Sequence, residues 1–217
     1  MAGILGQSVD APQIFAAKES SLFCKRVMDV CGAAVLLLLA APVIVLFACI
    51  IRLSDGGPAF HRRRVVGLRG NFDAFKLRTM RMDADELLQR DLDFKRRFSV
   101  NFKLRHDPRV TTIGRVIRRY GIDELPQLWN VLRGQMSLVG PRMISPAELS
   151  KFEGAAWIFN VVKPGLTGEW QTERSAEGGY AERVQMELQY VRNWSISGDL
   201  RILLKTPLRV LQGRGAS

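Results

Sequence analysis

VCGAAVLLLLAAPVIVLFACII, residues 30–51, holds no charged side chain. As an α-helix rising about 1.5 Å per residue it is roughly 33 Å long, enough to cross the hydrocarbon core of a bilayer. The run starts too late and is too long for the apolar core of a signal peptide. No small-residue cleavage site precedes a mature start. The reading is a membrane segment over 21–53, after a weakly ordered lead-in over 1–20 and before a basic remainder over 54–217.

Within that segment Pro42 follows Ala40 and Ala41. Proline removes a backbone donor and crowds the preceding turn, so it kinks or breaks a helix. Lys25 and Arg26 precede the run, and Arg52, Arg62, Arg63, Arg64 and Arg69 follow it. A straight span would put one of these clusters outside, against the preference of Lys and Arg for the cytoplasmic side. A helix broken at Pro42 that enters and leaves by one face keeps both inside. The charge argument favours this hairpin over a spanning helix with a tolerated kink. Asp29 stands four residues after Lys25 and three after Arg26, where both can meet it on one helix face. It reads equally as a surface pair and as a structural carboxylate at the membrane boundary.

The remaining composition narrows the function. The 217 residues carry 32 Lys+Arg against 21 Asp+Glu, a formal net charge of +11, with 47% hydrophobic and 24% charged residues. Such a chain buries a core and expects anionic partners, whether nucleic acid, acidic lipid or phosphorylated substrate. Cys24, Cys31 and Cys49 form no CxxC pair, and His61 and His106 are the only histidines. A disulfide scaffold, a cysteine zinc site and a histidine metal centre are excluded. Aromatics are not interleaved with the basic residues as a nucleic-acid stacking platform requires, so nucleic acid is not an expected partner.

Ser54–Pro58 is a turn cluster, and Pro58–Phe60 and Asn71–Leu77 are strand-like. A surface helix is expected over Asp83–Phe98 and a basic helix over Val110–Tyr120. Asp123–Arg133 reads as a short helix, with Asp123 as N-cap, Pro126 in the first turn and Gly134 as the stop. Ser137–Val139 and Leu166–Gln171 read as strands, and Tyr180–Trp194 as a helix. In the last helix Leu200, Leu203, Leu204, Leu208 and Leu211 repeat at helical spacing beside Arg201, Lys205 and Arg209. That pattern suits a helix lying in the lipid interface, and equally one facing a core.

No P-loop, GxGxxG, GxSxG or HExxH motif is present. The chemistry concentrates at Asp123-Glu124, after Arg118 and Arg119. An acidic pair in a first turn usually caps the helix and complements its dipole. Two adjacent carboxylates can also divide roles, one as nucleophile and one as metal ligand. Arg118 and Arg142 offer planar forks to phosphoryl oxygens. Oxygen ligands without a Cys or His cluster favour Mg2+ bridging to substrate phosphates. The constellation points to phosphoryl transfer from a diphosphate at a membrane face.

At these residues the sequence resembles the bacterial sugar transferase family, the monotopic polyprenyl-phosphate hexose-1-phosphate transferases. The matching pieces include Lys25-Arg26-x-x-Asp29, Gly56-Gly57-Pro58-x-Phe60, Arg63-x-x-x-Gly67 and Phe75-Lys76-x-Arg78-Thr79-Met80. They continue as His106-Asp107-Pro108-Arg109-Val110-Thr111 and Arg118-x-x-x-x-Asp123-Glu124-Leu125-Pro126-Gln127-Leu128-x-Asn130. Met136 to Arg142, then Lys163-Pro164-Gly165-Leu166-Thr167-Gly168 and Trp170-Gln171, close a set running over roughly residues 22–213.

The resemblance implies an α+β fold: a mostly helical, membrane-anchored domain with a re-entrant N-terminal membrane helix, short β elements and interfacial amphipathic helices. Residues 54–217 would be the cytoplasmic catalytic domain at the bacterial inner membrane. Asp123 would attack the sugar-side phosphate of a UDP-sugar and release UMP. Undecaprenyl phosphate would then take the sugar phosphate from the aspartate, in the first membrane step of exopolysaccharide or capsule assembly. Glu124, with Asp123, would hold Mg2+. Arg118, Arg142, Lys76 and Arg78 would bind substrate, and Lys25, Arg26, Asp29 and Pro42 would mark the membrane boundary. Anionic lipids are expected partners, and a homo-oligomer is compatible with the sequence. The chain departs from the family pattern at Met143, at Glu187 where Asp is common before Tyr190, and at Glu173-Arg174. A non-catalytic basic membrane adaptor, or a glycosyltransferase that releases UDP, are the competing readings.

Overall fold

The computed structural model describes residues 19–90, 94–96, 107–173 and 179–212. The long helix α1 (Glu19–Asp55) carries the apolar run. It is uninterrupted at Pro42. The break expected there is therefore accommodated within one helix, as membrane helices do when only one backbone donor is lost. Of the lead-in expected over 1–20, only Glu19 and Ser20 are described, and they open α1.

One face of α1 packs on the rest of the chain along its length. Asp29, Ala33, Ile44 and Ile51 are buried, and Leu37, Ala40, Phe47 and Ala48 pack beside them. Steps of three and four residues hold this stripe on one side. Leu38, Leu39, Val45, Leu46 and Leu53 stand on the other faces and are exposed. Such a large exposed apolar surface matches lipid contact.

Both ends of α1 are tied to the same folded body. Of the two readings open to Asp29, the surface pair with Lys25 and Arg26 is not made. Lys25 Nζ instead reaches Asp199 Oδ2 at 2.6 Å, and Arg26 donates to the carbonyls of Val131 (2.8 Å) and Leu132 (2.9 Å). Buried Asp29 accepts from Ser137 Oγ and from the backbone N–H of Leu138, each at 2.9 Å. Partners more than 100 residues away outcompete the local ones because they also satisfy buried backbone groups. At the far end Asp55 pairs with Arg78.

Strands β1 (Phe60–Val65) and β2 (Phe72–Leu77) form an antiparallel pair, Phe60 opposite Leu77 and Val65 opposite Phe72. The first strand thus runs through His61–Arg64 and not Pro58–Phe60. Pairing with β2 decides it, since strand preference follows context more than composition. Next come α2 (Ala84–Arg90) and α3 (Thr112–Arg119). The rest of the helix expected over 83–98 lies mostly outside the described residues, as does His106.

A 3-10 turn over Ile122–Gln127 leads into α4 (Leu128–Leu132), β3 (Ser137–Val139) and a second 3-10 segment, Pro146–Ala155. The chain continues through α5 (Ile158–Val161), β4 (Gly165–Thr167), α6 (Glu169–Glu173), α7 (Tyr180–Arg192) and α8 (Ile196–Leu211). β4 runs parallel to β3 and ends at Thr167, so the strand expected through Gln171 gives way to α6. The main core gathers Val65, Ala74, Val131, Met136, Val139, Ile144, Phe159 and Val191, with Ala33 of α1 among them. On α8, Ile202 and Asp199 face inward while Leu200, Leu204, Leu208 and Leu211 are exposed. Leu203 packs on the core, so the leucines divide between the two readings, with Leu200, Leu204, Leu208 and Leu211 on the outward face that an interfacial helix would use.

Candidate active site

Three elements converge on the acidic pair. Gly121, at φ 65°, turns the chain after α3 into the 3-10 segment that carries Asp123 and Glu124. The ring of Pro126 crowds the carbonyl of Ile122, which disfavours a regular α-helix across these residues, and a 3-10 turn stands in its place. Asp123 is thus inside a 3-10 turn and is not the N-cap expected of it; no side chain caps this turn.

Both carboxylates are buried. Lys76, on β2, places its ammonium 3.1 Å from Asp123 Oδ2 and 4.0 Å from Glu124 Oε1. Arg142, in the loop after β3, reaches Glu124 Oε1 at 3.3 Å. The other oxygen of Asp123, Oδ1, meets no hydrogen-bond partner. Burial pushes the Glu124 carboxyl up, but Arg142, Lys76 and Arg63 outweigh it and hold it below the usual glutamate value. Glu124 is therefore held as a carboxylate among cations, next to Asp123, whose buried Oδ1 has no partner.

Arg118 stands in the last turn of α3 and donates from Nε to Thr79 Oγ1 at 2.8 Å. Burial lowers its pKa, against the attraction of Asp123 and Asp107. Gly114 makes this packing feasible: a Cβ there would lie 2.1 Å from the carbonyl oxygen of Thr79. Arg78 is elsewhere. It is bound to Asp55 at the end of α1, so the structure joins Lys76 and Arg142 to the dyad, lets Arg118 act on it through charge alone, and leaves Arg78 at the anchor.

The sequence did not single out what holds Arg142. Its backbone N–H donates to Glu187 Oε1 (2.8 Å), and its carbonyl accepts from Arg183 Nη2 (3.1 Å). These two residues are one turn apart on α7 and themselves paired at 3.8 Å. The departure from the family pattern at Glu187 was the signal that could have led there. Fully buried, Glu187 is pushed up to about 7, against the pull of Arg183. A carboxyl with a raised folded-state pKa binds its proton more tightly folded than unfolded. Stability then falls as pH rises from the ordinary glutamate range toward about 7. Glu187→Gln is expected to flatten that fall in a thermal-melt series and to keep most of the activity. Glu187→Ala is expected to lower kcat about 10-fold, because Arg142 loses its positioning.

The oxygen donors present suit one hard cation shared with a ligand. Asp123 Oδ1 is unpartnered beside the Glu124 carboxylate, and no cluster of three or more metal-ligating side chains exists among the described residues. Mg2+ held by one or two carboxylates and completed by phosphate oxygens fits that set; an all-protein cage does not.

The model of the bacterial sugar transferase family matches residues 20–213. An exopolysaccharide production protein, ExoY, of Rhizobium meliloti (strain 1021) is 42% identical over 197 residues, covering 88% of this chain and 87% of that protein. The UDP-galactose-lipid carrier transferase of Erwinia amylovora is 40% identical over 204 residues, covering 92% of this chain but 43% of its own length. The UDP-glucose:undecaprenyl-phosphate glucose-1-phosphate transferase of Caulobacter vibrioides is 40% identical over 194 residues, covering 84% and 67%. The chain thus spans less than half of the larger galactose-carrier relative and most of the smaller protein. With the family model covering the helix anchor, the dyad and α8 alike, the chain belongs to the bacterial sugar transferase family.

Proposed function

We propose that the chain transfers a hexose-1-phosphate from a UDP-sugar to undecaprenyl phosphate, releasing UMP, through a sugar-phosphoryl-aspartate on Asp123. The observation that carries this is the unengaged Asp123 Oδ1 beside an Asp123 Oδ2 already bound to Lys76. Relatives whose names specify sugar-phosphate transfer to undecaprenyl phosphate or a lipid carrier support the donor and acceptor.

In the first displacement Asp123 Oδ1 forms a bond to the sugar-side phosphorus, and the bond from that phosphorus to the oxygen bridging to UMP breaks. UMP leaves with the electron pair. In the second, a phosphate oxygen of undecaprenyl phosphate attacks the same phosphorus and the aspartate is released, giving a polyprenyl diphosphosugar. Splitting one displacement into two lets one site serve a soluble donor and a lipid acceptor in turn. Arg142 and Arg118 meet the equatorial oxygens, where charge accumulates. Lys76 keeps Asp123 oriented. Mg2+, when held by Glu124 and Asp123, supplies charge neutralisation to the diphosphate.

The enzyme would work at the cytoplasmic face of the bacterial inner membrane, with both ends of the anchor on that side and the continuous helix bent, not broken, at Pro42. Support comes from the ties of both ends of α1 to one water-exposed body: Asp29 to Leu138 and Asp55 to Arg78. In a background lacking Cys24, Cys31 and Cys49, cysteines placed at Ser21 and Ser54 are expected to react with an impermeant thiol reagent only from the cytoplasmic side. Labelling from opposite sides would contradict this placement.

The functional test uses purified protein with Mg2+, undecaprenyl phosphate and a panel of UDP-sugars, with UMP and UDP measured separately. UMP release with one sugar supports the reading and names the sugar. UDP release would assign ordinary glycosyl transfer, and binding to lipid with no turnover would favour the adaptor.

A further inference from the structure

Helix α7 carries polar groups that the chemistry at Asp123 does not use. Tyr180, Arg183 and Glu187 follow one another at steps of three and four residues, which sets them on one face of the helix. Each holds a buried polar atom that meets no hydrogen-bond partner among the described residues: Tyr180 Oη, Arg183 Nε and Glu187 Oε2. Their other contacts leave these atoms out. The Tyr180 ring lies edge-on to Phe152, and the Arg183 guanidinium stands over the same ring. Arg183 Nη2 and Glu187 Oε1 are spent on the Arg142 peptide. Buried polar groups are almost always bonded, so three unbonded on one helix face call for a shared partner.

Arg142 ties this face to the reaction. Its side chain stands 3.3 Å from Glu124 Oε1 while its backbone N–H reaches Glu187 Oε1 at 2.8 Å. The charge of Arg63 also acts on both Glu124 and Tyr180. A donor that meets Arg142 at the dyad therefore has α7 as its wall on that side. In-line displacement decides which part of the donor lies there. With Asp123 attacking, the leaving UMP stands opposite it along the reaction axis. The hexosyl oxygen stays in the equatorial plane, beside the oxygens that Arg142 meets. The hexose, and not the nucleotide, is directed sideways past Arg142.

We propose that Tyr180, Arg183 and Glu187 form the subsite for the hydroxyls of the hexose and set which sugar the chain accepts. This rests on the transfer reading above. A hydroxyl both donates and accepts, and the three groups divide accordingly. Arg183 Nε donates, a Glu187 carboxylate oxygen accepts, and the Tyr180 hydroxyl does either. A phosphate would be repelled by the carboxylate, and an acyl chain would leave all three unbonded. Burial pushes the Tyr180 phenol up, so it keeps the proton it would donate.

The test measures kcat/KM for UMP release by the wild type and Tyr180→Phe, with UDP-glucose, UDP-galactose and their monodeoxy analogues. Phenylalanine keeps the ring against Phe152 and removes an oxygen that had no partner, so thermal unfolding is expected to stay unchanged. With the preferred donor the variant is expected to fall about 10-fold. One analogue should fall by a similar factor in the wild type and no further in the variant, because its missing hydroxyl and the missing phenol are two ends of one bond. Additive losses for every analogue, or a variant with unchanged rate and sugar preference, would overturn the proposal. Weaker inhibition by UMP in the variant, with sugar discrimination kept, would give α7 to the nucleotide and overturn it as well. Absence of UMP release from any donor by the folded wild type would instead overturn the transfer reading, and this inference with it.

Discussion

Asp123→Asn is expected to abolish UMP release, by about 10^4-fold or more, while leaving the fold and the binding of UDP-sugar intact. The substitution keeps the size of the side chain and an oxygen able to face Lys76 Nζ, which in the wild type lies 3.1 Å from Oδ2. What it removes is the anionic oxygen that forms the bond to phosphorus. The substitution also removes the charge facing Lys76 and sets an amide in a buried place without a partner, so some loss of stability is expected beside the loss of rate. Steady-state UMP release, read beside thermal unfolding, separates the two effects. An active, folded Asn variant would remove Asp123 from the nucleophile's role.

Arg142→Ala is expected to lower kcat/KM about 10^2- to 10^3-fold, since a preorganised cation at the transferring phosphoryl is lost. It has a second signature. Burial raises Glu124, and Arg142 is the largest of the charges that bring it below its usual value. Without Arg142 the Glu124 carboxyl rises, and its ionised form is lost at a higher pH as the solution is acidified. The acid limb of the pH–rate profile should therefore move to higher pH in Arg142→Ala. Arg142→Lys should restore much of the limb's position and less of the rate, because the charge returns without the planar fork. A variant that lost rate with an unmoved acid limb would place Arg142 outside electrostatic reach of Glu124 in the working enzyme.

The difference between what sequence and structure reveal follows the distance over which each residue acts. The apolar run at 30–51 and the leucines of α8 are local patterns, and helices stand where they predict. The ordered motifs around Asp123-Glu124 point to the dyad because so many pieces agree at once. Lys25 finding Asp199, and Asp29 finding Leu138, could not be read from spacing. The local partner was in reach, and only the folded core makes the distant one better. Strand β1 was hidden because His61–Arg64 reads as a charge run until β2 supplies its hydrogen-bonding edge. Pro126 marked a first helical turn, yet the chain used it to build a 3-10 turn with Asp123 inside. Arg78 shares a motif with Lys76 but is drawn to Asp55 at the anchor. The α7 pair holding the Arg142 peptide showed in the sequence only as the departure at Glu187, since neither residue touches the dyad directly.

The covalent route through Asp123 is tested most directly by a single turnover without acceptor. Protein mixed with its UDP-sugar and Mg2+, but no undecaprenyl phosphate, is followed for UMP and for intact mass. The account predicts stoichiometric UMP and one hexose phosphate attached to the chain. Peptide mapping would place it at Asp123, and addition of undecaprenyl phosphate would discharge it. UMP formed only when acceptor is present, with no adduct on an otherwise active enzyme, would mean direct transfer and contradict the account.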